Sequence, residues 1–241
     1  MTDTAPDFAH DLAAVQEATG RFLDSVGTLD DAAIGEPSLL PDWTRGHLLA
    51  HIARNADALV NLLNSARTGV PTPMYTSATA RDADIERDAG RSLSAHLDDL
   101  RESAGRFDAA ARALPPERRD YRVEMRNGVI ERADRLLLRR LGEVELHHVD
   151  LGVGYTLVRL PAAFVGAQLN FLATVKFAGR ADLPALELRT DDGRRWRTGA
   201  EGSAPLVVSG PAPALLGWLT GRGDGRTLDS HGAALPAVPP F

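Results

Sequence analysis

Glu143 and His147 stand four residues apart in the run Glu143-Val144-Glu145-Leu146-His147-His148-Val149-Asp150-Leu151. On a helix that spacing places both on one face, one turn from each other. A carboxylate and an imidazole so placed can hold one divalent cation. A third ligand must come from elsewhere, and His51 is the candidate, in Thr44-Arg45-Gly46-His47-Leu48-Leu49-Ala50-His51-Ile52-Ala53-Arg54-Asn55. Two histidines and a glutamate leave a fourth position open, as in catalytic zinc-type sites. A histidine hydrogen-bonded within a core is the competing reading of His51. A surface ladder from Arg140 to Glu143 to His147 is the competing reading of the second segment. His47 forms a His-x-x-x-His pair with His51 and is the alternative ligand; Glu145 and His148 are the neighbours most easily confused with the true ones.

Four amphipathic helices must carry these residues. Residues 8 to 26 place Leu12, Val15, Phe22, Leu23 and Val26 near one face, and Gly27 stops the helix. Asp42-Trp43-Thr44 opens a second helix, capped by Asp42 or Thr44, that runs to about Arg67. Its core stripe is Leu48, Ile52, Asn55, Leu59 and Leu62, with His51 beside it. A third helix spans 92 to 114, with Leu93, Leu97, Leu100, Ala104 and Phe107 inward and His96 partly exposed at the margin. A fourth spans about 131 to 151, with Leu137, Leu141, Val144, His148 and Leu151 inward. Arg140, Glu143, His147 and Asp150 run along the edge of that stripe, where burial without partners is unfavourable. Residues 70 to 90 read as a loop with a short helix, and Arg81 within it could reach an anion. Tyr121 to Met125 alternate before the turn signal Asn127-Gly128.

The composition changes after Gly152. A helix from Leu160 to about residue 178 precedes a hairpin, Leu186–Thr190 and Arg194–Thr198, around Asp191-Asp192-Gly193. Pro205–Ser209 reads as a third strand and Pro211–Thr220 as a helix, followed by Gly221-Arg222-Gly223. The fold class is therefore α+β: a helical bundle over residues 1–153 and a smaller α+β domain over 154–241.

Bulk properties narrow the function. The chain has 241 residues, 44% apolar, with a net charge of −6. That balance argues against a general nucleic-acid role. Cysteine is absent, which excludes disulfides and a cysteine nucleophile, so thiol chemistry would need an external thiol. No apolar run is long enough for a membrane span, and the acidic start lacks a secretory signal, so a cytoplasmic location is expected.

Asp42-Trp43-Thr44 with His51, then Glu143-x-x-x-His147 with Asp150-Leu151, resembles the DinB-like metal-binding four-helix family. Within it the match is nearer still to the mycothiol-dependent maleylpyruvate isomerases. Thr72-Pro73-Met74-Tyr75 with Arg81, the strand end Val207-Val208-Ser209-Gly210 and Gly221-Arg222-Gly223 also fit that group. The resemblance implies a DinB-like four-helix bundle with a sterol-carrier-like C-terminal domain. It implies zinc held at His51, Glu143 and His147, and mycothiol as cofactor. Asp150 and Arg222 match active-site positions: Arg222 as partner of a dicarboxylate substrate, Asp150 as a group that orients a ligand or binds the thiol. Arg81 is a further candidate for cofactor binding. The implied reaction is cis–trans isomerisation of maleylpyruvate to fumarylpyruvate. Adding a thiolate to the double bond makes it single, rotation follows, and elimination gives the other isomer. A mycothiol S-transferase with the same zinc site, and a non-catalytic metal-binding module, are the alternatives.

Overall fold

The computed structural model describes residues 7–77, 79–202 and 204–239. The start of the chain and Pro240 lie outside them. The chain divides into two compact units, one reaching to Tyr155 and one beginning at Thr156. The resulting architecture is α+β: a DinB-like bundle followed by a small α+β unit.

The first unit is built on α1 (Phe8–Val26), α3 (Arg45–Thr68), α5 (Leu93–Arg112) and α6 (Leu136–Asp150), with the short α2 (Asp31–Ile34) and α4 (Ala80–Asp88) between them. Each long helix buries its apolar stripe, including Phe22, Leu48, Ile52, Leu59, Phe107, Leu137 and Val144. Burying such a side chain contributes roughly 1.5–3 kcal/mol. Helix α3 starts at a Thr44 capping box, in which Thr44 N–H donates to His47 Nδ1 at 3.3 Å and Thr44 Oγ1 accepts from His47 N–H at 3.4 Å. It stops at Gly69, whose φ of 76° suits glycine.

Helix α6 begins at Leu136, five residues later than its periodicity suggests. Residues Ile130–Arg132 form β2, antiparallel to β1 (Arg122–Glu124), and Ala133–Arg135 form a 3-10 turn. Strand pairing takes up those residues before the helix can. Helix α5 differs in its inward face, which is His96, Leu100, Ser103, Phe107 and Ala111. His96 is 1% exposed, and its Nε2 faces Ala89 O at 3.4 Å. The expectation of a partly exposed His96 is thereby corrected: it is a core histidine, one turn from Leu100.

α3 and α6 run antiparallel. Arg45 Nε donates to Leu151 O at 3.1 Å, His51 meets His147, and Arg140 Nη1 donates to Asn55 Oδ1 at 2.8 Å. These three contacts fix the register of the two helices along some ten residues of each.

In the second unit, α7 (Ala162–Phe171) passes into a π turn over Leu172–Lys176. β3 (Leu186–Thr190) pairs antiparallel with β4 (Arg195–Thr198) and parallel with β5 (Leu206–Gly210). α8 (Ala212–Leu219) follows. Leu188 lies between Trp196 and Val208 in register, and all three are buried. No helix among the described residues is long and apolar enough to cross a membrane.

Glycines play two different parts in the bundle. A Cβ on Gly46 would stand 2.0 Å from Ala89 O, so the first turn of α3 touches backbone at the end of α4. Gly20 and Gly105, inside α1 and α5, have nothing within 4 Å of where a Cβ would stand. Each costs its helix roughly 1 kcal/mol relative to alanine. Gly46→Ala is expected to destabilise the protein by about 1–3 kcal/mol, because a backbone oxygen cannot give way as a flexible side chain can. Chemical denaturation of the variant against the parent measures this, and an unchanged midpoint would refute the close contact.

Candidate metal centre

Helix periodicity brings Glu143 and His147 to one face of α6, and the antiparallel register brings His51 of α3 against them. His51 Nε2 lies 3.0 Å from Glu143 Oε2 and 3.2 Å from His147 Nε2, and His147 Nε2 lies 3.3 Å from Glu143 Oε2. Ligand atoms bound tetrahedrally at about 2.0–2.2 Å stand roughly 3.3–3.5 Å apart, so the triangle is close to the size a single ion needs. Among the described residues, these three form the one His/Cys/Asp/Glu group compact enough to hold a metal ion. Two neutral imidazoles and a carboxylate suit a borderline cation such as zinc.

The surrounding groups prepare the donors. His147 Nδ1 lies 2.8 Å from Asp150 Oδ2. A carboxylate can only accept, so Nδ1 carries the proton and the Nε2 lone pair faces the triad. Asp150 is 1% exposed and so gives this bond a dry setting. The ring of Trp43 packs edge-on to His51, with centroids 5.5 Å apart, and the Arg81 guanidinium lies over the same indole at 5.7 Å. Arg81 Nη2 also reaches within 3.2 Å of His51 Nδ1.

Electrostatics separate the three groups. Burial pushes the Glu143 carboxyl up, but hydrogen bonds from His147 and His51 outweigh it and hold the group well below the usual carboxylate range. A third of the Glu143 side chain is exposed (34%), yet its carboxylate end is enclosed by the imidazoles. Burial pulls His51 down to about 4 against the opposing pull of Glu143, so it is neutral at pH 7. Burial also pulls on His147, but Asp150 and Glu143 more than compensate and raise it above its ordinary value.

The neighbouring titratable groups turn elsewhere. His47 is occupied by the Thr44 cap and by Glu86, 3.2 Å from its Nε2. Glu145 faces α1, accepting from Arg21 Nη2 and from Tyr155 Oη–H, both at 2.7 Å. His148 bonds Ser25 Oγ at 2.8 Å and stacks on Tyr155, with centroids 3.7 Å apart. Arg140 does not extend the ladder to Glu143; it crosses to α3 instead, donating to Ile52 O and Asn55 Oδ1. Arg222 lies in the second unit, in the turn after α8, where its Nη1 donates to Thr220 O at 3.2 Å.

Sequence reasoning did not single out Trp43 as part of this centre. Trp43 precedes its helix, and only the fold brings its ring over His51. Tyr75 is the other neighbour: burial raises its phenol, and Arg81 and Glu143 are close enough to act on it.

The family model for the mycothiol maleylpyruvate isomerase N-terminal domain matches residues 15–152, and that for the C-terminal domain matches residues 159–240. A crystal structure of the mycothiol-dependent maleylpyruvate isomerase is 30% identical, with 97% of each chain covered and a TM-score of 0.86. A histidine-to-alanine mutant of that isomerase matches equally well. YfiT from Bacillus subtilis, described as a probable metal-dependent hydrolase with an unusual four-helix bundle topology, shares the fold alone. It is 16% identical at a TM-score of 0.53, over 63% of this chain and 87% of its own. No curated protein sequence matches the chain.

Proton competition gives a test of the centre. A cation must displace any proton on the His147 Nε2 position, and Asp150 and Glu143 hold that proton more tightly than usual. Metal affinity is therefore expected to fall as pH drops from about 8 to 6, beginning above the ordinary histidine pKa of about 6.5. Asp150→Asn should weaken binding by roughly 10–100-fold and move that onset to lower pH. Competition titration against a chelator across this range measures both, and an affinity indifferent to pH would exclude His147 as a ligand. With the geometry and the two domain matches in agreement, the chain belongs to the mycothiol-dependent maleylpyruvate isomerase family and is an isomerase.

Proposed function

We propose that the protein converts maleylpyruvate to fumarylpyruvate with mycothiol as its thiol, using zinc held by His51, Glu143 and His147. The observation that carries this reading is the convergence of those three side chains in a chain that aligns along 97% of a mycothiol-dependent maleylpyruvate isomerase. The absence of cysteine fits a borrowed thiol.

When bound, zinc would supply an open coordination position at which a thiol ionises at neutral pH; a free thiol has a pKa near roughly 8.5. The chain's own residues prepare that position. Glu143, already ionised, supplies the one negative charge among the three donors. Asp150 accepts the His147 Nδ1 proton and so fixes which nitrogen faces the centre. Trp43 covers the edge of His51 and excludes water from that side.

Arg81 acquires a role through the same proton bookkeeping. A guanidinium can only donate, so in the contact with Arg81 the His51 Nδ1 must accept, and its Nε2 then bears the proton. Once the His51 Nε2 lone pair serves as a ligand, the ring proton resides on Nδ1 and Arg81 loses this acceptor. Arg81 Nη1 stays on Asp82 Oδ1 at 2.6 Å, and Nη2, released from His51, is left for an anionic group of the thiol cofactor. Arg222 is assigned to the dicarboxylate substrate, where a fixed guanidinium can bind a carboxylate or stabilise enolate charge developing next to the ketone.

The test is maleylpyruvate turnover with and without mycothiol, in metal-loaded and metal-stripped protein. Turnover is expected only when both are present, with mycothiol unconsumed. Arg222→Ala should lower kcat/KM on the order of 10²-fold while thiol binding persists. Stoichiometric loss of mycothiol into a stable adduct would instead make the protein a transferase.

A further inference from the structure

Arg140 is a buried cation with no carboxylate in direct contact; the charges of Glu143 and Asp57 act on it only from beyond ion-pair distance. Its side chain is 1% exposed, and Nη1 donates to two neutral acceptors, Ile52 O and Asn55 Oδ1, both at 2.8 Å. Among the described residues, Nε and Nη2 donate to no protein acceptor, and no carboxylate lies within 4 Å of the group. The Phe107 ring, 6.0 Å from the guanidinium carbon, provides only a weak cation–π contact. Burial pulls the group down to about 10, which still leaves it charged at neutral pH. A charge so far from water calls for a partner.

A cleft leads to it. Between α1 and α5 lies a space of about 270 Å³, with Leu12, Val15, Leu23 and Phe107 as walls and Arg140 among its lining. Gly20 and Gly105 line it from the exposed side, one on each helix, and a Cβ on either would meet nothing. Alanine at those positions would strengthen both helices and narrow the opening, so the glycines keep the space clear. Asp108 at the rim is already committed, to Arg112 Nε at 2.8 Å and to the Gln16 amide.

We propose that this cleft binds a small monocarboxylate with an apolar body, the body against the leucine, valine and phenylalanine walls and the carboxylate on Nε and Nη2 of Arg140. Those two nitrogens form the guanidinium edge that takes a carboxylate side-on. The chain uses the same edge elsewhere: Arg87 Nε and Nη2 hold the two Asp88 oxygens at 2.9 and 3.1 Å. The site shares no residue with the metal triad, and it stands whether or not the isomerase reading does.

Hexanoate is the probe, with hexanamide as its neutral counterpart and acetate as a carboxylate without the body. Binding is followed by calorimetry and by amide chemical shifts in metal-free, full-length protein. Hexanoate is expected to shift amides of α1 and α5, with hexanamide and acetate each at least about tenfold weaker, the loss of one good interaction. Gly105→Leu should fill the cleft and abolish binding, and Gly20→Leu provides a second filling variant should the first not fold. His147→Ala should bind hexanoate as the parent does. Binding that survives both filling variants, or is lost in His147→Ala, would assign the carboxylate to the metal centre and overturn the proposal. Equal affinity for hexanamide, or no binding by hexanoate, would overturn it as well.

Discussion

Three polar side chains meet on the seam between two antiparallel helices, and the first unit is arranged to make that meeting tolerable. His51, Glu143 and His147 each stand largely away from water, where an unsatisfied polar group costs roughly 1–3 kcal/mol. Each is satisfied by another member of the group or by a neighbour fixed in place, as Asp150 is for His147 and Arg81 for His51. A helix slip of one residue would break the set. The register is therefore held at both ends of the seam: Arg45 bonds the end of α6 at Leu151, and Arg140 reaches the third turn of α3. A centre that must present open donor atoms needs this kind of outside support, because its own groups repel or desolvate one another when left without a cation.

Helix α6 serves two networks from adjacent residues. Glu143, His147 and Asp150 face α3, while Glu145 and His148 face α1 and Tyr155. The 100° turn per residue sends neighbours in sequence to different sides of the bundle. The second network is structural in composition: a buried glutamate satisfied by an arginine and a tyrosine hydroxyl, and a histidine sandwiched between Phe22 and Tyr155. Burial and the charge of Arg21 pull His148 down to about 4, so it remains neutral there at pH 7.

The same helix places Arg140 one turn before Glu143, and the contrast between them is instructive. Glu143 is surrounded by groups that favour its charge; Arg140 touches neutral acceptors and an aromatic ring, and the charges of Glu143 and Asp57 reach it only from beyond contact. Isolated Arg–Glu pairing on a helix surface is worth only a few tenths of a kcal/mol, and the fold forgoes it to tie two helices together. Glycine likewise has opposite meanings within one bundle. Gly46 admits a backbone at close range, whereas Gly20 and Gly105 border open space.

The local elements were legible because their signals are local. The periodic stripes of Leu48, Ile52, Leu59 and Leu62 or of Leu137, Leu141 and Val144, the Thr44 cap, Gly69 and the Asp191-Asp192-Gly193 turn each act within a few residues. The pairing of Glu143 with His147 was equally available, since four residues of helix determine it. What chain order could not reveal is the face-to-face register of α3 on α6, which depends on packing between segments 90 residues apart. That register selects His51 over His47, turns Glu145 and His148 away, and sends Arg140 across the seam. Packing of α5 buries His96, and pairing with β1 captures the residues that periodicity alone would assign to the start of α6. In each case the side chain's neighbours, not its sequence context, set its free energy, and only the tertiary structure supplies those neighbours.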